Sequence, residues 1–214
     1  MSAAALIRAA QEGGSFPAMD RAAQRLARGL GDYLGSFGEC EPAVKPAASQ
    51  VRGYADWLAT HGGAVLIPLR LGRKLSVQIA VPTPMLLGIV DFFYGGAGTV
   101  GAVRDELTSA EQRFADRFGA AVCALMGAAW SAIAPVKPEL GAVTFAGQSA
   151  AICRSDDPVF VQHFTLADAP FAAGDICAVY PLGPLRAALD AALGTAGDDG
   201  SASAKETDAD WSAH

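Results

Sequence analysis

The sequence predicts an α/β domain of two pseudo-symmetric halves, each a long helix packed on strands of a shared sheet. Three observations carry this reading. Two long segments, starting at Pro17 and at Thr108, place apolar residues at three- and four-residue steps. Each is followed by short segments with strand-like patterning. The two halves also repeat the same order of long helix, strands, proline and short helix.

In the first half, Met19, Ala22, Ala23, Leu26, Ala27, Leu30, Tyr33, Leu34 and Phe37 form one apolar stripe over Pro17 to Phe37. Arg21, Arg25, Arg28 and Asp32 fall on the other side. Glu39 to Gln50, with Pro42 and Pro46, reads as a looser segment. Tyr54, Trp57 and Leu58 predict a short helix within Val51 to Thr60. Two strands are expected at Ala64 to Leu71 and Lys74 to Val81, with Gly72 and Arg73 between them at hairpin spacing. In the second strand Leu75, Val77, Ile79 and Val81 alternate with Lys74, Ser76, Gln78 and Ala80, the pattern of a sheet with one buried face. Pro82 and Pro84 suit the first turn of a helix running to about Phe93.

The second half opens on a capping box. The Thr108 hydroxyl can accept from the Glu111 amide while Glu111 reaches back. A long helix is expected from there to about Ile133, closed by Pro135 and Pro138. Strands follow near Glu139 to Phe145, Val159 to Leu166 and Gly174 to Tyr180, then a helix from Leu182 to Leu193. A shift of 92 lays Arg21, Arg25, Leu26 and Leu30 on Arg113, Arg117, Phe118 and Val122. A shift of 99 lays Val81-Pro82 on Tyr180-Pro181 and Asp91 on Asp190. Neither half can cover its own apolar faces, so both are expected to pack into one sheet under the two long helices.

The 214 residues carry 51% hydrophobic and 18% charged side chains, too apolar for a disordered chain. The expected organisation is a flexible segment over residues 1–15, a domain over 16–193 and an acidic flexible tail over 194–214. A net charge of −6 argues against nucleic acid and against an anionic membrane surface as partners. The uncharged stretch Gly119 to Val136 is short and rich in small residues, which favours a buried helix over a membrane span. No secretory signal pattern stands in Met1 to Ala10, and a cytoplasmic location is expected. Cys40, Cys123, Cys153 and Cys177 form no C-x-x-C pair, so neither metal nor cofactor is expected. His61, His163 and His214 read as surface or satisfied core histidines.

The most distinctive local feature is the turn Gly95-Gly96-Ala97-Gly98 after Phe92-Phe93-Tyr94. It lacks the lysine and the spacing of a phosphate loop and follows a helix instead of opening one. It can serve as a helix cap, or as bare backbone open to a partner beside an aromatic anchor. The residues alone favour the cap.

Ile89-Val90-Asp91-Phe92-Phe93-Tyr94-Gly95-Gly96-Ala97-Gly98 resembles the "VD-x-F-F-G-G-x-G" signature of the flagellar motor switch family FliM. Glu106-Leu107-Thr108-Ser109-Ala110-Glu111-Gln112-Arg113 is similar to that family's "E-F-T-x-x-E-Q-R", and Ala129-Trp130 falls where its helix ends in "A-W". Phe16-Pro17 with Arg21 to Leu34 is similar to the family's first helix. The resemblance covers about Phe16 to Leu193, the family's middle domain. It implies the fold shared with the CheC and CheX phosphatases, and a non-catalytic part in the ring at the cytoplasmic face of the inner membrane, at the base of the flagellum. It implies FliG as a partner, contacted by Gly95, Gly96 and Gly98 with Asp91 and Phe93 as supports, and neighbouring copies of the chain itself.

Two family features fall differently. Met1 to Gly14 shares only Leu6-Ile7 with the peptide "L-S-Q-x-E-I-D-A-L-L", so capture of phosphorylated CheY is not implied. Asp210-Trp211 looks like the opening of the FliN-like domain that follows in the family, so FliN is a partner only with such a domain. The alternative on the same fold is a phosphatase of phosphorylated CheY. The phosphatases of that fold resemble one another in an acidic or Ser residue, a Glu four later and an Asn three further along one helix, a spacing at which Glu and Asn share a face and could position an attacking water. Glu111 has Phe114 three residues on, and Asp20 is followed by Gln24 and Ala27, so neither helix carries the set. No polar pocket pattern suggests a small-molecule sensor.

Overall fold

The computed structural model describes residues 16–99, 106–148, 151–172 and 174–202. The expected flexible segment over residues 1–15 lies outside them. Helix α1 (Pro17–Gly35) is followed by short strands β1 (Ala43–Pro46) and β2 (Gln50–Gly53) and by helix α2 (Tyr54–Thr60). The hairpin β3 (Ala64–Leu71) and β4 (Leu75–Pro82) leads into α3 (Thr83–Phe93). The second half runs α4 (Ser109–Trp130), β5 (Pro138–Leu140), β6 (Thr144–Phe145), β7 (Pro158–Ala167), β8 (Asp175–Pro181) and α5 (Leu182–Ala202). Among the described residues, no helix is long and apolar enough to cross a membrane.

All strands join one antiparallel sheet in the order β1-β7-β8-β4-β3-β5, with β2 also on β7 and β6 also on β3. The duplication is built into this sheet. Its centre is the β4–β8 pair, where Ile79 faces Ala178 while Gln78 faces Val179 and Ala80 faces Cys177. Ile79 and Ala178 are themselves equivalent at the shift of 99, so the pseudo-twofold axis passes between them. The shift of 92 also holds for the long helices. Ala22, Ala23, Leu26, Ala27, Leu30 and Leu34 are buried on α1, and Phe114, Ala115, Phe118, Gly119, Val122 and Met126 are buried at the matching places on α4. The halves exchange edge strands as well: β1 and β2 complete β7, and β5 and β6 complete β3.

α1 and α4 lie against each other on one sheet face, close enough at Gly29 that a Cβ there would sit 2.7 Å from Leu125 Cδ2. Beneath them Val65, Ile67, Leu69, Val77, Ile79, Val81, Phe160, Phe164, Ala178 and Tyr180 form the main core. Large rings from the two halves meet across the seam, as with Tyr33 and Phe118 at 6.0 Å. Burying such side chains is worth about 1.5–3 kcal/mol each and is the main force holding the halves together. The capping box forms as expected: Glu111 Oε2 accepts from the Thr108 N–H at 2.6 Å, and Thr108 Oγ1 accepts from the Glu111 N–H at 3.3 Å.

Four expectations are corrected. The segment read as loose contains β1 and β2, which pair with a strand more than a hundred residues away and so leave little local signal. The sheet is covered on both faces, not one: Tyr54 and Trp57 of α2 pack on Leu66, Ala80, Val159, Val161, Cys177 and Val179 in a second, smaller core. Gln78, read as solvent-facing, is fully buried and its Oε1 accepts from the Tyr54 hydroxyl at 3.0 Å. The last helix does not stop at Leu193 but continues to Ala202, into the stretch read as flexible tail. Extending a helix already nucleated costs less than starting one. Residues 203–214 lie outside the described residues.

Candidate functional site

The glycine turn follows directly from how α3 ends. Tyr94 caps the helix, its N–H donating to the Val90 carbonyl at 3.1 Å. The next two amides turn back in sequence: Gly95 N–H donates to the Phe92 carbonyl at 3.0 Å and Gly96 N–H to the Asp91 carbonyl at 2.8 Å. This curl requires φ of +88° at Gly95 and +74° at Gly98, a region glycine enters without a steric penalty. Asp91 then closes the loop, because its Oδ2 accepts from the Gly98 N–H at 2.9 Å. The carboxylate lies so near Gly96 that a Cβ there would overlap both of its oxygens.

The three aromatics before the turn divide their work. Phe92 packs on Phe171 at 5.4 Å. Phe93 packs edge-on to Phe37 at 5.2 Å and lies 5.0 Å from Phe114, which ties the turn to the segment just after α1 and to α4. The Arg117 guanidinium sits 4.9 Å above the Phe93 ring, a cation–π contact worth about 0.5–1 kcal/mol at an exposed site. Burial pushes the neighbouring Tyr33 hydroxyl up, and Arg117 works against that. Tyr94 alone turns outward and is 64% exposed. Gly95, Gly96 and Ala97 are exposed too, whereas Gly98 is buried, where an added Cβ would sit 3.0 Å from Pro170 Cγ.

The structure therefore brings Asp91, Phe93, Gly95, Gly96 and Gly98 into one turn. Gly95 and Gly96 present main chain, Asp91 and Phe93 fix it, and Gly98 shapes it from inside. The sequence reading left out Arg117, which lies 24 residues after Phe93 and shows its relation only in three dimensions. It also left out the meeting of His61, His163 and Cys177 on the second sheet face. Among the described residues, no group of three His, Cys, Asp or Glu side chains is placed to hold a metal ion. On the two long helices, the positions a phosphatase would use are otherwise engaged. Glu111 is committed to the capping box, and Phe114 and Ala27 are buried.

Sequence comparison finds no matching family model and no matching curated protein. Structural comparison does find neighbours. A FliG–FliM complex from H. pylori aligns at a TM-score of 0.71 with 13% identity over 78% of this chain and 92% of the other. The FliM middle domain from H. pylori gives 0.70 with 12% identity over 81% and 95%. The FliM middle domain from Vibrio alginolyticus gives 0.68 with 21% identity over 81% and 100%. The chain has the fold of FliM middle domains, as its motifs lead one to expect.

Proposed function

We propose that this domain is a non-catalytic component of a flagellar motor switch, and that it docks a FliG protein through the turn at Gly95 and Gly96. The observation that carries the reading is exposed main chain held rigid beside an exposed aromatic. Tyr94 offers the ring, Gly95 and Gly96 offer unshielded backbone, and Asp91 with Phe93 prevents the turn from adapting. A preformed surface binds without the cost of ordering a loop. Support comes from the fold and from a neighbouring FliM that was solved as a complex with FliG. Association with copies of the same chain, at the cytoplasmic face of the inner membrane, belongs to this reading. Reorientation of the domain between such neighbours would change which FliG contacts form, which is how a switch component passes on its state.

The test is binding of purified FliG by calorimetry. Gly95→Val adds a side chain that meets no atom of the domain within 4 Å and stands on the exposed turn, at the cost of local backbone strain at φ of +88°. It should weaken FliG binding at least tenfold, about 1.4 kcal/mol, while the circular dichroism spectrum is unchanged. Tyr94→Ala should weaken it similarly. Native affinity in both variants means that the turn is only a helix cap.

A further inference from the structure

The sheet face turned away from α1 and α4 carries four polar side chains that the glycine turn does not use. Gln50 lies on β2, His163 on β7, Cys177 on β8, and His61 caps the C-terminus of α2. They form an unbroken line. Gln50 Nε2 is 2.7 Å from His163 Nε2, His163 Nδ1 is 3.3 Å from Cys177 Sγ, and that sulfur is 3.6 Å from His61 Nε2. At its far end His61 Nδ1 lies 2.8 Å from the Trp57 carbonyl oxygen and 3.0 Å from the Thr60 hydroxyl, whose own proton goes to the Trp57 carbonyl at 2.8 Å. Three of its members, His61, His163 and Cys177, line a cleft of about 370 Å3 together with Thr60, Thr83 and Asp175.

Proton accounting gives this line a direction. A carbonyl only accepts, so neutral His61 holds its proton on Nδ1 and turns a bare Nε2 toward the thiol. Burial pushes the Cys177 thiol up to about 12, so the sulfur keeps its single proton at neutral pH. That proton can satisfy one imidazole only, its other acceptor being the Asp175 carbonyl at a longer 4.0 Å. Given to His163, it would leave the bare His61 nitrogen facing a sulfur lone pair. Given to His61, it lets the sulfur accept from His163 Nδ1–H and His163 Nε2 accept from the Gln50 amide. Every donor and acceptor in the line is then matched, with no net charge.

We propose that Gln50, His163, Cys177 and His61 form a one-proton switch, a directional hydrogen-bond relay that takes up a single proton from the cleft as a unit and turns the Gln50 amide over as it does so. The added proton is held on His163 Nε2, which becomes a donor and must then meet Gln50 Oε1 in place of Nε2. The charge is shared along the line: Cys177 takes the Nδ1 proton of His163 as it passes its own to His61 Nε2. Desolvation is the largest influence and opposes the charged form at His163, as His61 and Arg52 on β2 also do, while Asp175 on β8 favours it. The start of α3 brings only uncharged Thr83 and Pro84 to the cleft. Because charge at His61 opposes charge at His163, a second proton does not follow the first. The switch joins α2, which packs on this sheet face, to strands β2, β7 and β8.

Long-range proton–nitrogen NMR on the 15N-labelled full chain tests this. At pH 8 both His61 and His163 should show the Nδ1–H tautomer, the less common form of a free imidazole. On acidification the two rings and the Gln50 side-chain amide should change together in one step. Cys177→Ser, which can still donate and accept, should keep the joint step. Cys177→Ala should split it and return His163 to the Nε2–H tautomer. An Nε2–H tautomer of His163 at pH 8 in the native chain would overturn the proposal, and so would a joint step that survives Cys177→Ala. The native-chain tautomers decide the matter even where a variant fails to fold.

Discussion

Gly95 and Gly96 look alike in sequence, yet they resist substitution for different reasons, and a mutant cycle separates them. A Cβ at Gly95 meets no atom within 4 Å, but the residue holds φ of +88°. Gly95→Ala therefore costs backbone strain alone, about 1–2 kcal/mol. Gly96 is outside the left-handed region, and its obstacle is the Asp91 carboxylate. To admit a methyl group, that carboxylate must release the Gly98 N–H it binds at 2.9 Å. A hydrogen bond to a charged acceptor is worth about 1.5–3 kcal/mol, so Gly96→Ala should cost that much. For a chain of this size the loss lowers the melting temperature by roughly 2–4 °C per kcal/mol. With Asp91→Ala already made, the three atoms nearest to the new methyl group are gone. Gly96→Ala should then be neutral, or stabilising by about 0.4–1 kcal/mol through the stiffer unfolded chain. Gly95→Ala should cost the same in either background. Urea unfolding of the parent, the three single variants and the two double variants measures both couplings. If Gly96→Ala and Asp91→Ala add within about 0.5 kcal/mol, the carboxylate does not brace the turn and the account of its rigidity is wrong.

Two further outcomes follow from local features. Thr108→Ala removes the hydroxyl of the capping box and should lower stability by about 1 kcal/mol, read by the same urea assay. Burial holds His163 below the ordinary imidazole value. Below about pH 6.5 the unfolded chain therefore binds more protons at this site than the folded one, so its contribution to stability is full above that pH and is lost as pH falls. Melting temperature should drop more steeply between pH 7.5 and 5 in the native protein than in His163→Gln, and equal slopes would refute this.

Most of the main core was legible because its signals are local and periodic. The α1 stripe from Met19 to Leu34 is buried nearly as patterned, and the β3–β4 hairpin starts and stops within a residue of expectation. The second core was not legible, because its members are scattered. Gln78 and Ala80 sit where an alternating strand normally faces water, and they are covered by residues from elsewhere in the chain, Tyr54 and Trp57 of α2 among them. The edge strands β1 and β2 were missed for a related reason. Val44 and Val51 have partners in Leu166 and Phe160, and no window of a few residues contains both sides of such a pair. The cluster of His61, His163 and Cys177 is the extreme case, since each residue taken alone is unremarkable and only the β7–β8 pairing and the end of α2 bring them together.

The candidate docking turn stands where the internal symmetry breaks. The equivalent strands β3 and β7 lie 95 residues apart, as the central pairings require, whereas β4 and β8 lie 99 apart. The second half therefore carries four extra residues between β7 and β8, where the first half has the short link from Gly72 to Lys74. That longer link holds Asp168 at φ of +59°, then Pro170 and the buried Phe171. These residues reach across to the other half. Pro170 backs Gly98, and Phe171 packs on Phe92 and against Gly88 of α3. A perfectly repeated chain would lack this buttress and leave the glycine turn held by Asp91 and Phe93 without support from behind. One half thus supplies the presenting helix and the other supplies its support, which gives two halves of one plan different tasks. This division also explains why the turn can expose bare main chain without loosening: its rigidity comes from behind, through a part of the chain that a partner bound at Tyr94, Gly95 and Gly96 has no need to touch.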